Sequence, residues 1–239
     1  MARKSYGIYC PTSKACEVLE PRWTIQILCE LWDGATRFNE IRRALPALSP
    51  SLLSRRLKEM ECEGLVTRVE DKAAGTVDYF RTEKAIELEP ILDGMARWAQ
   101  RHVERDIALN STDAGMLMWK LRPRFRPEGM PRGRNVLRFH FPDSTGSSDT
   151  YWIVAEKGSD TDLCHHDPRI DPDLFVESTV GALTGVYLGR LRLSEEIDKG
   201  TIFLSGDARL VRGIRDWLSF SPYATIPGLV SAEEIHQAE

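Results

Sequence analysis

Ser49-Pro50-Ser51-Leu52-Leu53-Ser54-Arg55-Arg56-Leu57-Lys58-Glu59-Met60 sets hydroxyl and cationic side chains at helical spacing. Ser49 is a favoured N-cap residue and Pro50 is preset for the first helical position. Leu53, Leu57 and Met60 fall on one helical face, whereas Ser51, Arg55 and Lys58 fall on the other with Ser54 beside them. Cations reach phosphate oxygens or the guanine edge, and small hydroxyls let a helix approach closely. Such a helix suits entry into a DNA major groove. The plainer reading is an amphipathic helix with a solvated charge face, so the neighbouring elements have to decide.

Upstream, Pro21-Arg22-Trp23 predicts a helix start, with Trp23, Ile27, Leu28 and Leu31 as its core stripe and Gly34 as its end. Phe38, Ile41 and Leu45 form a shorter stripe, stopped at Pro46, with Arg37, Arg42 and Arg43 pointing outward. Two short helices separated by a tight turn make a helix-turn-helix. After Gly64 the period changes. Leu65–Val69 and Val77–Arg81 read as paired strands around a polar tip, Glu70–Thr76, whose only cation is Lys72. A helix-turn-helix followed by a hairpin is a winged helix. Beyond Thr82, a good cap, the stripe Ile86, Leu88, Ile91, Leu92, Met95, Trp98, Ala99 and Val103 predicts a long helix to about Ile107, kinked near Pro90. The small winged domain already has a core, so this extra apolar face points to a twin subunit.

Cys10-Pro11, Trp23, Ile27-Leu28, Gly34, Arg37-Phe38, Glu40-Ile41, Leu45-Pro46, Ser49, Leu53-Ser54, Arg56-Leu57-Lys58-Glu59, Glu61, Gly64-Leu65-Val66, Arg68, Tyr79 and Thr82 together resemble the HxlR family of winged-helix transcription regulators. The resemblance covers about residues 7–105. It implies a homodimer on double-stranded operator DNA, a recognition helix at Ser49–Cys62 and a wing tip at Asp71–Thr76. The candidate DNA contacts are Arg37, Ser49, Ser51, Ser54, Arg55, Arg56 and Lys58, with Lys72 in the wing. Ala85 stands where the family usually has Gly, and the wing is acidic. Some members of the family sense oxidants or electrophiles through a cysteine near the N-terminus. By that analogy Cys10 is a redox candidate, with Lys14 and the helix start near Ser13 to stabilise a thiolate. A buried, inert thiol is the other reading.

The second half follows a polar joint, Asn110–Asp113, which divides the chain into domains at 1–109 and 110–239. Strands are expected at Asn135–Phe141, Thr150–Glu156, Thr161–His165, Asp173–Glu177 and Thr201–Leu204. Helices are expected at Met116–Leu121, Thr179–Leu188, Ser194–Asp198 and after Gly206-Asp207, an α+β pattern. Asp167-Pro168, Asp171-Pro172-Asp173-Leu174, Gly189, Leu193, Glu196, Gly200, Gly206-Asp207, Leu210 and Trp217 make this half similar to the sterol-carrier-protein type of lipid-binding domain. That implies a sheet with helices on one face around a cavity for a lipophilic ligand. A filled core has the same composition, and sequence leaves both open.

Other groups exclude function classes. Cys164-His165-His166-Asp167 has metal-ligand letters, but adjacent strand residues point to opposite faces, so a structural role is expected and no metal or cofactor. Gly181–Gly185 lacks the phosphate-loop lysine. The arginines Arg122, Arg124, Arg126, Arg132, Arg134 and Arg138 are interrupted by prolines and read as solvated surface. No acid, base and nucleophile converge, so an enzyme is not expected. Net charge is −4, and the first 104 residues balance at 16 Lys/Arg against 16 Asp/Glu, so nucleic-acid contact has to come from local patches. Five scattered cysteines fit a reducing cytosol, and neither a secretory signal nor a spanning segment is read at Met1–Tyr6 or beyond. The expected function is a dimeric, cytoplasmic, DNA-binding regulator answering to a lipophilic effector. The alternatives are a redox regulator acting through Cys10 and a lipid-binding protein whose winged domain only dimerises.

Overall fold

The computed structural model describes residues 5–103 and 113–227. Its backbone contacts gather into two units, Met1–Met95 and Ala96–Glu239. The first contains α1 (Pro11–Leu19), α2 (Thr24–Trp32), α3 (Phe38–Ala44), α4 (Pro50–Cys62), β1 (Val66–Asp71), β2 (Thr76–Arg81) and α5 (Glu83–Ile86); α6 (Glu89–His102) begins in it. Ile27, Leu28, Ile41, Leu53, Leu57, Met60 and Leu65 are fully buried and form its centre. β1 and β2 pair antiparallel from Val66 opposite Arg81 to Asp71 opposite Thr76. This is the helix-turn-helix and hairpin that the periodicity anticipated.

Two local expectations need correction. Helix α2 starts at Thr24, not at Pro21, because Trp23 takes a left-handed backbone conformation (φ 83°). Trp23 is half-buried, whereas Ile27, Leu28 and Leu31 are buried. The long helix from Thr82 is instead two helices, α5 and α6. Pro90 occupies the first turn of α6, where a missing N–H breaks no internal bond, so the chain turns before the proline instead of kinking at it. Thr82 does cap α5, its Oγ1 accepting from the Ala85 amide at 3.3 Å. The part of the expected helix from Glu104 to Ile107 lies outside the described residues.

The second unit adds α7 (Ala114–Leu121), β3 (Arg134–His140), β4 (Thr150–Glu156), β5 (Asp162–Cys164), β6 (Leu174–Ser178), α8 (Val180–Tyr187), α9 (Leu193–Asp198), β7 (Ile202–Gly206), α10 (Ala208–Arg212) and α11 (Ile214–Trp217). Its sheet runs β5-β4-β3-β6-β7, with β3 and β6 parallel and the other pairs antiparallel. Strand residues alternate between faces. Leu137, Phe139, Tyr151, Ile153, Leu174, Val176 and Ile202 share one buried cluster with Leu117, Met118, Leu183, Leu210 and Trp217 from the helices. The helices therefore cover one face. The other carries Arg138, Trp152, Phe175 and Phe203. No described helix is long and apolar enough to cross a membrane.

Candidate nucleic-acid interface

The turn before α4 is fixed by short-range chemistry. The Ser49 Oγ accepts from the Leu52 amide at 3.4 Å and lies 3.3 Å from the Ser51 Oγ. Gly64 (φ 67°) takes the left-handed turn after the helix, which costs a residue without Cβ little. Leu53, Leu57 and Met60 are 0%, 1% and 2% exposed, while Ser51, Ser54, Arg55 and Lys58 are exposed. One face of α4 is therefore seated in the core and the other faces solvent.

The guanidinium groups of α4 differ in what they touch. Arg55 is 62% exposed, with its Nε 3.9 Å from Glu59. Arg56 is only 16% exposed; its Nε donates to the Arg22 carbonyl at 3.0 Å and its Nη1 pairs with Glu59. Arg56 thus joins α4 to the residue before Trp23 and is set apart from the outward set. Lys58 has no partner among the described residues. Arg42 and Arg43 are exposed in the last turn of α3.

The base of the hairpin is tied to α3. The Tyr79 amide donates to the Thr36 carbonyl at 2.8 Å, and the Thr36 hydroxyl donates to Asp78 at 2.9 Å. Arg37, exposed at the N-cap of α3, places its Nε 3.6 Å from Asp78. These bonds hold Arg37 and the wing in register. At the tip, the Asp71 carboxylate accepts from the amides of Ala73 and Ala74 at 2.9 and 3.0 Å, and Gly75 turns back at φ 63°. Lys72 is exposed between them.

Cys10 is the N-cap of α1 and is half-buried. The amides of Ser13 and Thr12, with their hydroxyls, hold its thiol below the usual range. The sequence assigned that work partly to Lys14, but the Lys14 ammonium sits 2.9 Å from Glu17 and 3.1 Å from the Ser5 hydroxyl. Cys164 has its thiol pushed up, by burial and then by Asp162. His165 lies edge-on to the Tyr151 ring.

The arginines of 122–138 do not form one surface. Arg122 stacks on Trp119 at 4.5 Å, Arg132 pairs with Asp173 at 2.6 Å, and Arg138 is half-buried on β3. Proximity in the chain groups them; in the fold Arg122, Arg132 and Arg138 each meet a different neighbour, Trp119, Asp173 and Phe175.

A family model described as HxlR-like helix-turn-helix matches residues 18–107. The uncharacterized HTH-type transcriptional regulator YvaP of Bacillus subtilis strain 168 is 41% identical over 97 residues, which is 40% of this chain and 90% of that protein. The HTH-type transcriptional regulator YodB of the same strain is 36% identical, covering 40% of this chain and 87% of its own length. Among solved structures, the redox regulator HypR in its reduced form is 32% identical with a TM-score of 0.36, covering 38% of this chain and 90% of that one.

Proposed function

Because the chain belongs to the HxlR-like helix-turn-helix family, we propose that it is a transcription regulator that binds operator DNA as a homodimer and reads it with α4. The observation carrying this reading is the division of α4: Leu53, Leu57 and Met60 are buried while Ser51, Ser54, Arg55 and Lys58 face solvent. A helix held from beneath and polar outside can approach base edges without unfolding its own core. In a dimer, two such helices enter successive major grooves about 34 Å apart. Ser49 acts mainly as the cap. Arg37 and Lys72 meet phosphate from the side, and Arg56 supports the fold.

Dimerisation is assigned to α6, where Ile91, Met95 and Trp98 are 55%, 50% and 60% exposed. A stripe of three large apolar side chains is a patch that association buries. The segment 110–239, of the sterol-carrier type by its sequence pattern, is assigned a small lipophilic effector. Binding must differ between two states of the dimer for DNA affinity to change. A cytoplasmic location follows from the regulator role.

Arg55→Glu tests the reading face. DNA selected by the wild-type protein from a random pool should lose measurable gel-shift binding to this variant, with the melting temperature retained. Unchanged affinity would remove Arg55 from the interface. A second reading is favoured by one observation, the lowered thiol of Cys10 at a helix start: oxidant or electrophile control through that residue. Cys10→Ser separates the two, since an oxidant response that survives it defeats the redox version.

A further inference from the structure

We propose that the helix-free face of the five-stranded sheet holds a binding groove for a planar aromatic carboxylate, with Arg138 as its anion receptor. The strand register builds this groove. Cys164 stands opposite Trp152, Trp152 opposite Arg138, Arg138 opposite Phe175, and Phe175 opposite Ser205. Residues in register across a sheet share a face. One row therefore runs aromatic, guanidinium, aromatic across the three central strands, on the side away from the buried cluster.

Over this row lies a cavity of about 480 Å³, walled by Arg169 and Ile170 of the loop before β6 and floored by Arg138, Trp152 and Phe175. A second space of about 290 Å³ continues past Arg138 toward His140 and Phe203. The first volume falls within the roughly 300–1,000 Å³ range of small-molecule sites. Its lining divides between charged residues, Arg138, Asp167, Arg169 and Asp171, and apolar ones, Trp152, Ile170, Pro172 and Phe175, so it offers both an ionic contact and an apolar surface.

Arg138 supplies the chemical class. It is half-buried, it lies over the Phe175 ring at 5.9 Å, and no carboxylate pairs with it among the described residues. A guanidinium that has lost part of its water and gained no anion is an incomplete ion pair. Its fork of donors matches a carboxylate in two-point contact. Asp167, Asp171 and Glu177 also line these spaces. Asp167 accepts from the Arg169 amide at 2.7 Å, and Arg169 adds a second cation to the cavity lining. The remaining acids disfavour a polyanion and leave room for a single negative charge. Trp152 and Phe175 stand on either side of Arg138, two strand spacings of about 4.8 Å apart, and offer ring faces to a flat aromatic body whose carboxylate meets the guanidinium between them.

The groove deepens the effector reading by naming the ligand class, and the test separates the two. Full-length protein is titrated calorimetrically with 2-naphthoate, with uncharged 2-naphthamide and with decanoate. Naphthoate should bind at least tenfold more tightly than either. Arg138→Gln should remove that preference, leaving naphthamide binding unchanged. Phe175→Ala, at an exposed position, should weaken naphthoate at least threefold and serves if Arg138→Gln fails to fold. No naphthoate preference in the wild type, or a preference kept in both variants, overturns the groove. Saturating naphthoate should also change the affinity for selected DNA. If it binds through Arg138 and DNA affinity does not move, the groove stands and its role as effector site falls.

Discussion

Lys58→Ala isolates the electrostatic part of DNA binding. Lys58 is exposed on α4 and has no partner among the described residues, so its removal should leave stability within about 0.5 kcal/mol. Each lysine that neutralises a phosphate releases about 0.9 of a counterion. Two per dimer change the slope of log affinity against log salt by about 1.8. Between about 50 and about 200 mM salt, the gap between wild type and variant should therefore shrink about twelvefold. Arg56→Ala is the internal contrast. Its guanidinium is 16% exposed and bonded to Arg22 and Glu59, so it should lower the melting temperature and leave the salt slope of the folded dimer alone. Fluorescence anisotropy on selected DNA at four salt concentrations reads both variants. An unchanged slope for Lys58→Ala, or a slope change for Arg56→Ala at full folding, would refute the division of α4 into a holding side and a reading side.

Met95→Asp puts a charge in the exposed α6 stripe and should shift the mass in light scattering from a dimer toward the 27.1 kDa monomer; a persistent dimer places the interface elsewhere. Gly206→Ala brings a Cβ within 2.3 Å of the Asp173 carbonyl at φ 141° and should cost roughly 2–4 kcal/mol, seen as a lower denaturation midpoint of the second unit. Asp207 is held down to about 2 from 3.8 by Arg209 first and Arg132 after it, so its stabilisation is complete above pH 3.8 and is lost as pH falls toward about 2. Asp207→Asn should flatten acid unfolding across that window; an identical acid profile would deny the ion-pair network a part in stability. Cys10, with its lowered thiol, should be alkylated by iodoacetamide at neutral pH faster than exposed Cys16 and Cys62, as peptide mass spectrometry would show; equal rates would deny it special reactivity.

The sequence made α4 legible because every determinant of that helix is local. A Ser-Pro start, leucines and a methionine at spacings of three and four, and a glycine after the last turn all lie within sixteen residues. The break before α6 was harder, since Pro90 carries the same letter whether it interrupts a helix or opens one. What decided it was the turn at Glu87-Leu88, where the Leu88 amide reaches back to the Ala85 carbonyl at 3.1 Å. Trp23 was misplaced for a related reason: a left-handed backbone at a tryptophan has no signature in composition.

Arg138 shows the deeper limit. In the chain it is the last of a run of arginines, and proximity in sequence invites one description for all of them. In the fold its neighbours are Trp152, 14 positions later, and Phe175, 37 positions later, the second through a parallel pairing that no local pattern announces. The same alternation that hides Leu137 and Phe139 under the helices turns Arg138 outward between two aromatic rings. Periodicity could therefore identify which β3 residues share a face. It could not supply the partners that turn a lone cation into a receptor, because those partners are set by strand order. A function written on one helix can be read from one stretch of sequence, whereas a function written across a sheet requires the sheet.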